Sequence, residues 1–204
     1  MLKRFVTFGV AGLIGLGIGS YTALSMSGLL PGDRRIGQGI EINGWYGDLS
    51  QGSTDASPYL RARIARHGLL AMAKSEAIYF IRASDDEGQP LTENCTYRLS
   101  GGTLPAGWWS VTLYNAENFL PDNTDEALSY DASRASESGS DSEWSAVIAP
   151  ERPEGDGGWI SSRNAGAFDL TLRLYMPEAA ALEAPVETID APNVERLTCE
   201  GDVS

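Results

Sequence analysis

Two stretches of this chain hold the side chains best suited to recognition chemistry. In Trp108–Tyr114 and in Phe168–Tyr175, polar and apolar residues alternate with period two, the spacing of a β-strand. Trp109, Val111 and Leu113 fall on one face of the first, and Trp108, Ser110, Thr112 and Tyr114 on the other. In the second, Phe168, Leu170, Leu172 and Leu174 oppose Asp169, Thr171, Arg173 and Tyr175. The mixed faces combine ring planes, hydroxyls and a guanidinium. Rings cover apolar sugar or acyl surface, while hydroxyls and arginine orient polar groups, so an envelope glycan or lipid-derived ligand fits this chemistry, and a protein partner is the further alternative. Trp108, Tyr114, Arg173 and Tyr175 are the contact candidates, with Trp159, next to Gly157-Gly158, at the rim. An ordinary sheet with one solvated face shows the same alternation, and Trp159 suits a core equally well.

Catalytic chemistry has fewer supports. His67 is the single histidine, with no nucleophile motif near it, and it reads as a helix-face or packed residue. Glu76, at the start of an apolar stretch, is the carboxylate most suited to acid or base work, although a salt bridge to an arginine explains it as well. A hydrolase-like enzyme using Glu76 or His67 in a pocket beside a helix is the alternative to the binding reading, and a purely structural assembly protein is a third. No G-x-S-x-G, phosphate loop or dinucleotide fingerprint occurs. One histidine and two cysteines are too few for a His/Cys metal site. The acidic run from Glu117 to Asp156, with Asp122, Asp125 and Glu126, lacks EF-hand spacing and reads as a solvated surface before a calcium site. No metal or cofactor is expected. The net charge of −13 argues against nucleic acid and against adhesion to anionic lipid.

These residues must be positioned outside the cytoplasm. After Lys3 and Arg4 no charged residue appears until Asp33, and Phe5–Met26 is long enough to span the roughly 30 Å hydrocarbon core. The basic pair before the span places the N-terminus inside and the remainder in the periplasm, anchored in the inner membrane, against the opposing vote of Arg34-Arg35. A cleaved signal peptide shares these features, with Ala23-Leu24-Ser25 as the cleavage site. Ala11, Gly15, Gly19 and Ala23 repeat every four residues, a spacing that permits self-association of spans. Outside the cytoplasm an even pair of cysteines favours a bridge, here Cys95 to Cys199.

The organisation follows: residues 1–4 cytoplasmic, 5–26 the anchor, 27–40 a linker, and 41–204 one exported β-rich domain. A short strand or turn is expected at Ile40–Tyr46. Ser57-Pro58 starts a helix through about Ala73, with Leu60, Ile64, Leu69 and Met72 inward and Arg61, Arg63 and Arg66 solvated. Strands are expected at Ala77–Ala83, Cys95–Leu99, Trp108–Asn115, Ala127–Asp131, Trp144–Ala149 and Phe168–Tyr175. A surface loop fills Ser133–Glu143, and a proline-marked extended strap ends the chain. The fold class is mainly β: an antiparallel, jelly-roll-like β-sandwich with one helix near its start, preceded by a transmembrane helix.

The runs Gly52-Ser-Thr-Asp-Ala-Ser-Pro-Tyr59, Gly68-Leu-Leu-Ala71 and Ser75-Glu-Ala-Ile-Tyr-Phe80 resemble the bacterial domain of unknown function 1214 family. Cys95-Thr-Tyr-Arg-Leu99, Trp108–Tyr114, Gly158-Trp-Ile160 and Phe168–Pro177 extend the resemblance, in order, over roughly Trp45 to Pro192. The resemblance implies a β-rich sandwich-like domain and brings no catalytic residues. Many members carry a companion domain, number 1254, upstream; here the apolar span stands in that place.

Overall fold

The computed structural model describes residues 2–30, 39–54, 56–66, 72–137, 143–155 and 157–200. Helix α1 (Leu2–Met26) contains the uncharged stretch Val6–Met26, 21 residues with mean hydropathy 1.4, none of it buried within the protein. It is long and apolar enough to cross a membrane. Gly28, at φ +71°, ends it. The Leu29 amide donates to the Leu24 carbonyl and the Gly28 amide to Ser25, both at 3.0 Å, the pairing of a left-handed C-terminal cap.

The chain after α1 folds into two sheets. β1 (Ile40–Ile42) and β2 (Trp45–Gly47) form a hairpin whose turn, Asn43-Gly44, has both φ angles positive, as a tight type I′ connection requires. They continue into β3 (Ala77–Arg82), β9 (Phe168–Pro177), β5 (Ala106–Asn115) and β6 (Ser129–Asp131), in the order β1-β2-β3-β9-β5-β6. The second sheet has the order β10-β4-β7-β8, from β10 (Asn193–Cys199), β4 (Cys95–Gly102), β7 (Glu143–Ala149) and β8 (Gly158–Ser161). Pairing is antiparallel apart from β7 with β8, which is parallel. The mainly β sandwich with a helix at its front is therefore the observed class, with this one parallel pair as its departure.

The core lies between the sheets. Trp109, Val111 and Leu113 of β5 and Phe168, Leu170, Leu172 and Leu174 of β9 are all buried there, against Tyr97, Leu99, Ala146, Ile148, Ile160 and Val194 of the second sheet. Trp109 and Trp144 stack across the interface with centroids 4.3 Å apart, and Tyr130 tilts against both. At the β8 edge Gly158 has room only for hydrogen. A Cβ there would collide with the Tyr130 ring and lie 2.9 Å from the Ser145 carbonyl.

Arg82 points into this core from β3 with only 2% exposure. Its Nε donates to the Ser84 carbonyl (2.7 Å), Nη1 to those of Asn43 (2.9 Å) and Pro192 (3.3 Å), and Nη2 to the Asp86 carboxylate (2.6 Å). The same carboxylate accepts the Val194 amide, and the indole of fully buried Trp45 donates to Pro192. One guanidinium thus ties the β1–β2 turn, the β3–β4 turn and the C-terminal segment together.

Several local expectations change. Helix α2 (Pro58–Arg66) starts where expected, with Ser57 Oγ accepting the Leu60 amide at 3.2 Å. Met72 and Ala73 are not helical, and Gly68, Leu69 and His67 lie outside the described residues. Leu60 and Ile64 pack with Ala56 on Ile81 of β3, which explains why this strand is buried on both faces. Arg63 is 4% exposed rather than solvated, because it reaches the end of α1 instead of water. Within the expected loop Ser133–Glu143, Ala132–Glu137 forms α3, nucleated by the Asp131 carboxylate accepting the Ser133 and Arg134 amides. The extended strap contains two short helices, α4 (Ala179–Glu183) and α5 (Pro185–Thr188), and closes as a true strand, β10, on β4. Buried Ala181, Ile189 and Ala191 hold it on the core.

Cys95 and Cys199 occupy opposite positions in the β4–β10 ladder and are disulfide-bonded. The expected bridge is present, closing a separation of 104 residues. Replacing both with serine is expected to destabilise the chain by about 2–5 kcal/mol, since the bridge limits the unfolded ensemble; the midpoint of urea unfolding under non-reducing conditions reads this directly. For Arg82→Met the expected loss is about 3 kcal/mol, because three carbonyls and a carboxylate lose the donor they share, a guanidinium that is itself buried. A loss under about 1 kcal/mol in the same assay would show that Arg82 does not organise the three segments.

Candidate functional site

The mixed faces of β5 and β9 merge because the strands are adjacent and in register. Trp108 lies opposite Tyr175, Ser110 opposite Arg173, Thr112 opposite Thr171 and Tyr114 opposite Asp169. Residues directly opposed in an antiparallel pair share a face, so eight side chains form one outer surface. β3 adds Tyr79, opposite Arg173 on its other side.

Within this surface Arg173 is the centre. Its Nη1 donates to Thr112 Oγ1 at 3.0 Å and its Nη2 to the Tyr114 hydroxyl at 2.8 Å, with the guanidinium 5.5 Å from the Tyr114 ring centroid. Both acceptors are neutral. Among the described residues no carboxylate forms an ion pair with Arg173, whereas Arg82, Arg98, Arg163 and Arg196 each have one. A guanidinium has five N–H donors, so several remain for a ligand. Beside it Trp108 and Tyr175 lie with centroids 5.3 Å apart and planes tilted by 56°, and the Trp108 indole donates to Ser133 Oγ of α3 at 3.1 Å.

Burial grades the surface into a strip. Asp169 and Thr171 are each 2% exposed, whereas Trp108, Tyr114, Arg173 and Tyr175 are half-buried. Thr171 lies opposite Ile81, which α2 covers, so the helix closes this end and leaves the aromatic end open. Burial pushes the Tyr79 phenol above its ordinary range, opposed by the Met72 amide that donates to its oxygen at 3.4 Å. Tyr79 therefore stays protonated beside Arg173.

The other candidates lie elsewhere. Trp159 sits on β8, paired opposite Val147 on the outer face of the second sheet, and its indole donates to the Ala149 carbonyl at 3.0 Å. The structure does not bring it to the strip. Glu76 is exposed in the turn before β3 rather than embedded in the strand, and its enzymatic companion His67 lies outside the described residues. A hollow of about 760 Å³ beside the disulfide is lined by Glu93, Glu151, Arg152, Arg163 and Glu200 among others, none of them strip residues. Asp125 accepts from Ser161 Oγ at 2.6 Å and from Arg163 Nε at 3.0 Å, which holds its carboxyl below the usual range, chiefly through the Ser161 bond. No group of three or more His, Cys, Asp or Glu side chains among the described residues is arranged to hold a metal. Tyr79 escaped the sequence reading: its phase in β3 is visible there, but its alignment with Arg173 depends on a strand about 90 residues away.

Comparison with known proteins bears on the fold. The VPA0106 protein of Vibrio parahaemolyticus superposes with a TM-score of 0.57 at 18% identity, over 91% of this chain and 44% of that one. An uncharacterized protein from Burkholderia cenocepacia aligns at TM-score 0.44 and 16% identity, over 60% of this chain and 30% of its own. The chain thus spans less than half the length of either protein. No curated protein matches. Residues 76–179, from the turn before β3 to the first residue of α4, match the family described as "Protein of unknown function (DUF1214)". That match takes in β5, β9 and the strip between them, and the chain belongs to the DUF1214 family.

Proposed function

We propose that this protein is a single-pass inner-membrane module whose β domain, on the periplasmic side, binds an envelope glycan or lipid-derived molecule bearing an anionic group. Arg173 carries the reading. It is a half-buried cation satisfied only by hydroxyls, with donors to spare, beside the Trp108–Tyr175 pair. Holding a charge partly out of water without a counter-ion is costly, and an incoming carboxylate or phosphate would offset that cost with charge-assisted hydrogen bonds. The rings would cover the apolar part of the same molecule. A half-open strip with an exposed Glu76 suits binding better than acid–base chemistry.

Two features support the location. α1 is long and apolar enough to span, with Lys3 and Arg4 at its start. The Cys95–Cys199 bridge is chemistry of an oxidising compartment.

A thermal-shift screen of the full chain in detergent against anionic envelope glycans and lipid fragments is expected to give stabilising ligands. Arg173→Met should weaken binding at least about tenfold, the scale of one lost charged hydrogen bond, while Arg173→Lys retains part of it. If Arg173→Met binds every hit as the parent does, the strip is not the site; if no compound shifts the parent, a protein partner replaces the small ligand. For topology, alkaline phosphatase fused after residue 204 is expected to be active in cells. An inactive, stably expressed fusion would place the domain in the cytoplasm.

A further inference from the structure

We infer that α2 is an interfacial helix that docks the domain onto anionic phospholipid headgroups at the mouth of the span. The inference rests on α1 being retained as a membrane anchor.

The position of α2 follows from one side chain. Arg63 donates from Nε to the Met26 carbonyl at 2.8 Å and from Nη2 to the Ser25 carbonyl at 3.1 Å. These are among the last carbonyls of α1, at the negative end of its dipole, and the Ser25 carbonyl also accepts the Gly28 amide of the cap. Gly28 allows the approach, since a Cβ there would sit 3.3 Å from the Arg63 side chain. Val6–Met26 is about 31 Å long at helical rise, close to the hydrocarbon thickness. Met26 therefore lies at the hydrocarbon boundary, and α2, one hydrogen bond away, lies in the headgroup layer.

The chemistry of α2 matches that layer. Leu60, Arg63 and Ile64 are turned inward, leaving Tyr59, Arg61, Ala62 and Arg66 on its outer side. Tyr59 is 38% exposed and Leu29, just beyond α1, is 57% exposed. Tyrosine is enriched at membrane interfaces, and arginine on the polar face of a surface helix attracts anionic lipid. Arg61 uses Nε and Nη2 on the Ala56 and Thr54 carbonyls, which leave its charge uncompensated. Among the described residues neither Arg61 nor Arg66 forms an ion pair. A hollow of about 270 Å³ between Met26, Tyr59, Leu60 and Arg63 opens at the same level.

The net charge of −13 is unevenly spread. Among the described residues, those from 27 to 76 carry four basic and three acidic side chains, whereas those from 77 to 200 carry seven basic and twenty acidic. Anionic lipid repels most of the domain and not the part beside the span. The net negative charge therefore does not oppose anionic lipid locally, and repulsion of the remainder helps fix which side faces the membrane.

The test uses the full chain in vesicles of phosphatidylcholine, with and without phosphatidylglycerol, carrying a nitroxide at Ala62→Cys or, on the outer face of the second sheet, at Ser145→Cys. Intact mass first establishes that α1 is retained. The label at 62 is expected to lose accessibility to a water-soluble nickel relaxant and gain accessibility to oxygen relative to the label at 145. Phosphatidylglycerol should deepen the difference, and Arg61→Glu with Arg66→Glu should abolish that lipid dependence. Equal, water-like accessibility at both positions in an anchored chain would overturn the docking and leave the anchor intact. A mature mass lacking α1 would overturn the anchor and the docking with it. In neither case is the Arg173 ligand reading affected.

Discussion

The pairing of β5 with β9 is the constraint on which the rest depends. Side chains alternate across a strand, so a single register decides both what enters the core and what reaches the surface. With Trp109 opposite Leu174 and Val111 opposite Leu172, the apolar sets of both strands turn toward the second sheet. The same register sets Trp108 beside Tyr175 and brings Arg173 within reach of Thr112 and Tyr114. A slip by one residue in β9 would turn Leu170, Leu172 and Leu174 outward and bury Arg173, and a slip in β5 would turn Trp109, Val111 and Leu113 outward. Stability and the candidate site are two consequences of one alignment.

Around this ladder the chain solves its long-range closure with a few polar devices placed where apolar packing would lack direction. Arg82 joins three segments of the chain by donating to the carbonyls of Ser84, Asn43 and Pro192. The disulfide fixes the far end of β10, and the stacked indoles of Trp109 and Trp144 lock the two sheets face to face. Such bonds add directionality to a hydrophobic effect that has none. Arg63 works in the same manner at the end of α1, where its bonds to the Ser25 and Met26 carbonyls join that helix to α2.

Arg173 differs from these in one respect. Arg82 pairs with a carboxylate and fully satisfies neighbouring backbone, which marks a structural role. Arg173 is satisfied by hydroxyls alone and lies on the outer face, beside rings that are only half-buried. Arg82 closes the inner end of β3 and Arg173 sits mid-strand on the outer face of β9, so the two arginines meet different surroundings within one sheet.

The apolar N-terminal helix, the inward and outward faces of β5 and β9, the cysteine pair, the start of α2 at Ser57-Pro58 and the mainly β class are all legible in the residues alone. Each is local, or follows from period, count or composition, and so needs no knowledge of distant partners. Only the tertiary structure decided that Tyr79 joins Arg173 while Trp159 and Glu76 stand apart, since that depends on strand order. It also decided that Arg63 is buried, because an arginine on a short helix reads as solvated until the end of α1 arrives to accept its hydrogen bonds. The C-terminal residues carried prolines that suggested an extended strap, yet Ala181, Ile189 and Val194 found a core to cover and Asn193–Cys199 found the free edge of β4. Local propensity describes what a segment prefers alone; burial and edge pairing are properties of the assembled sheets.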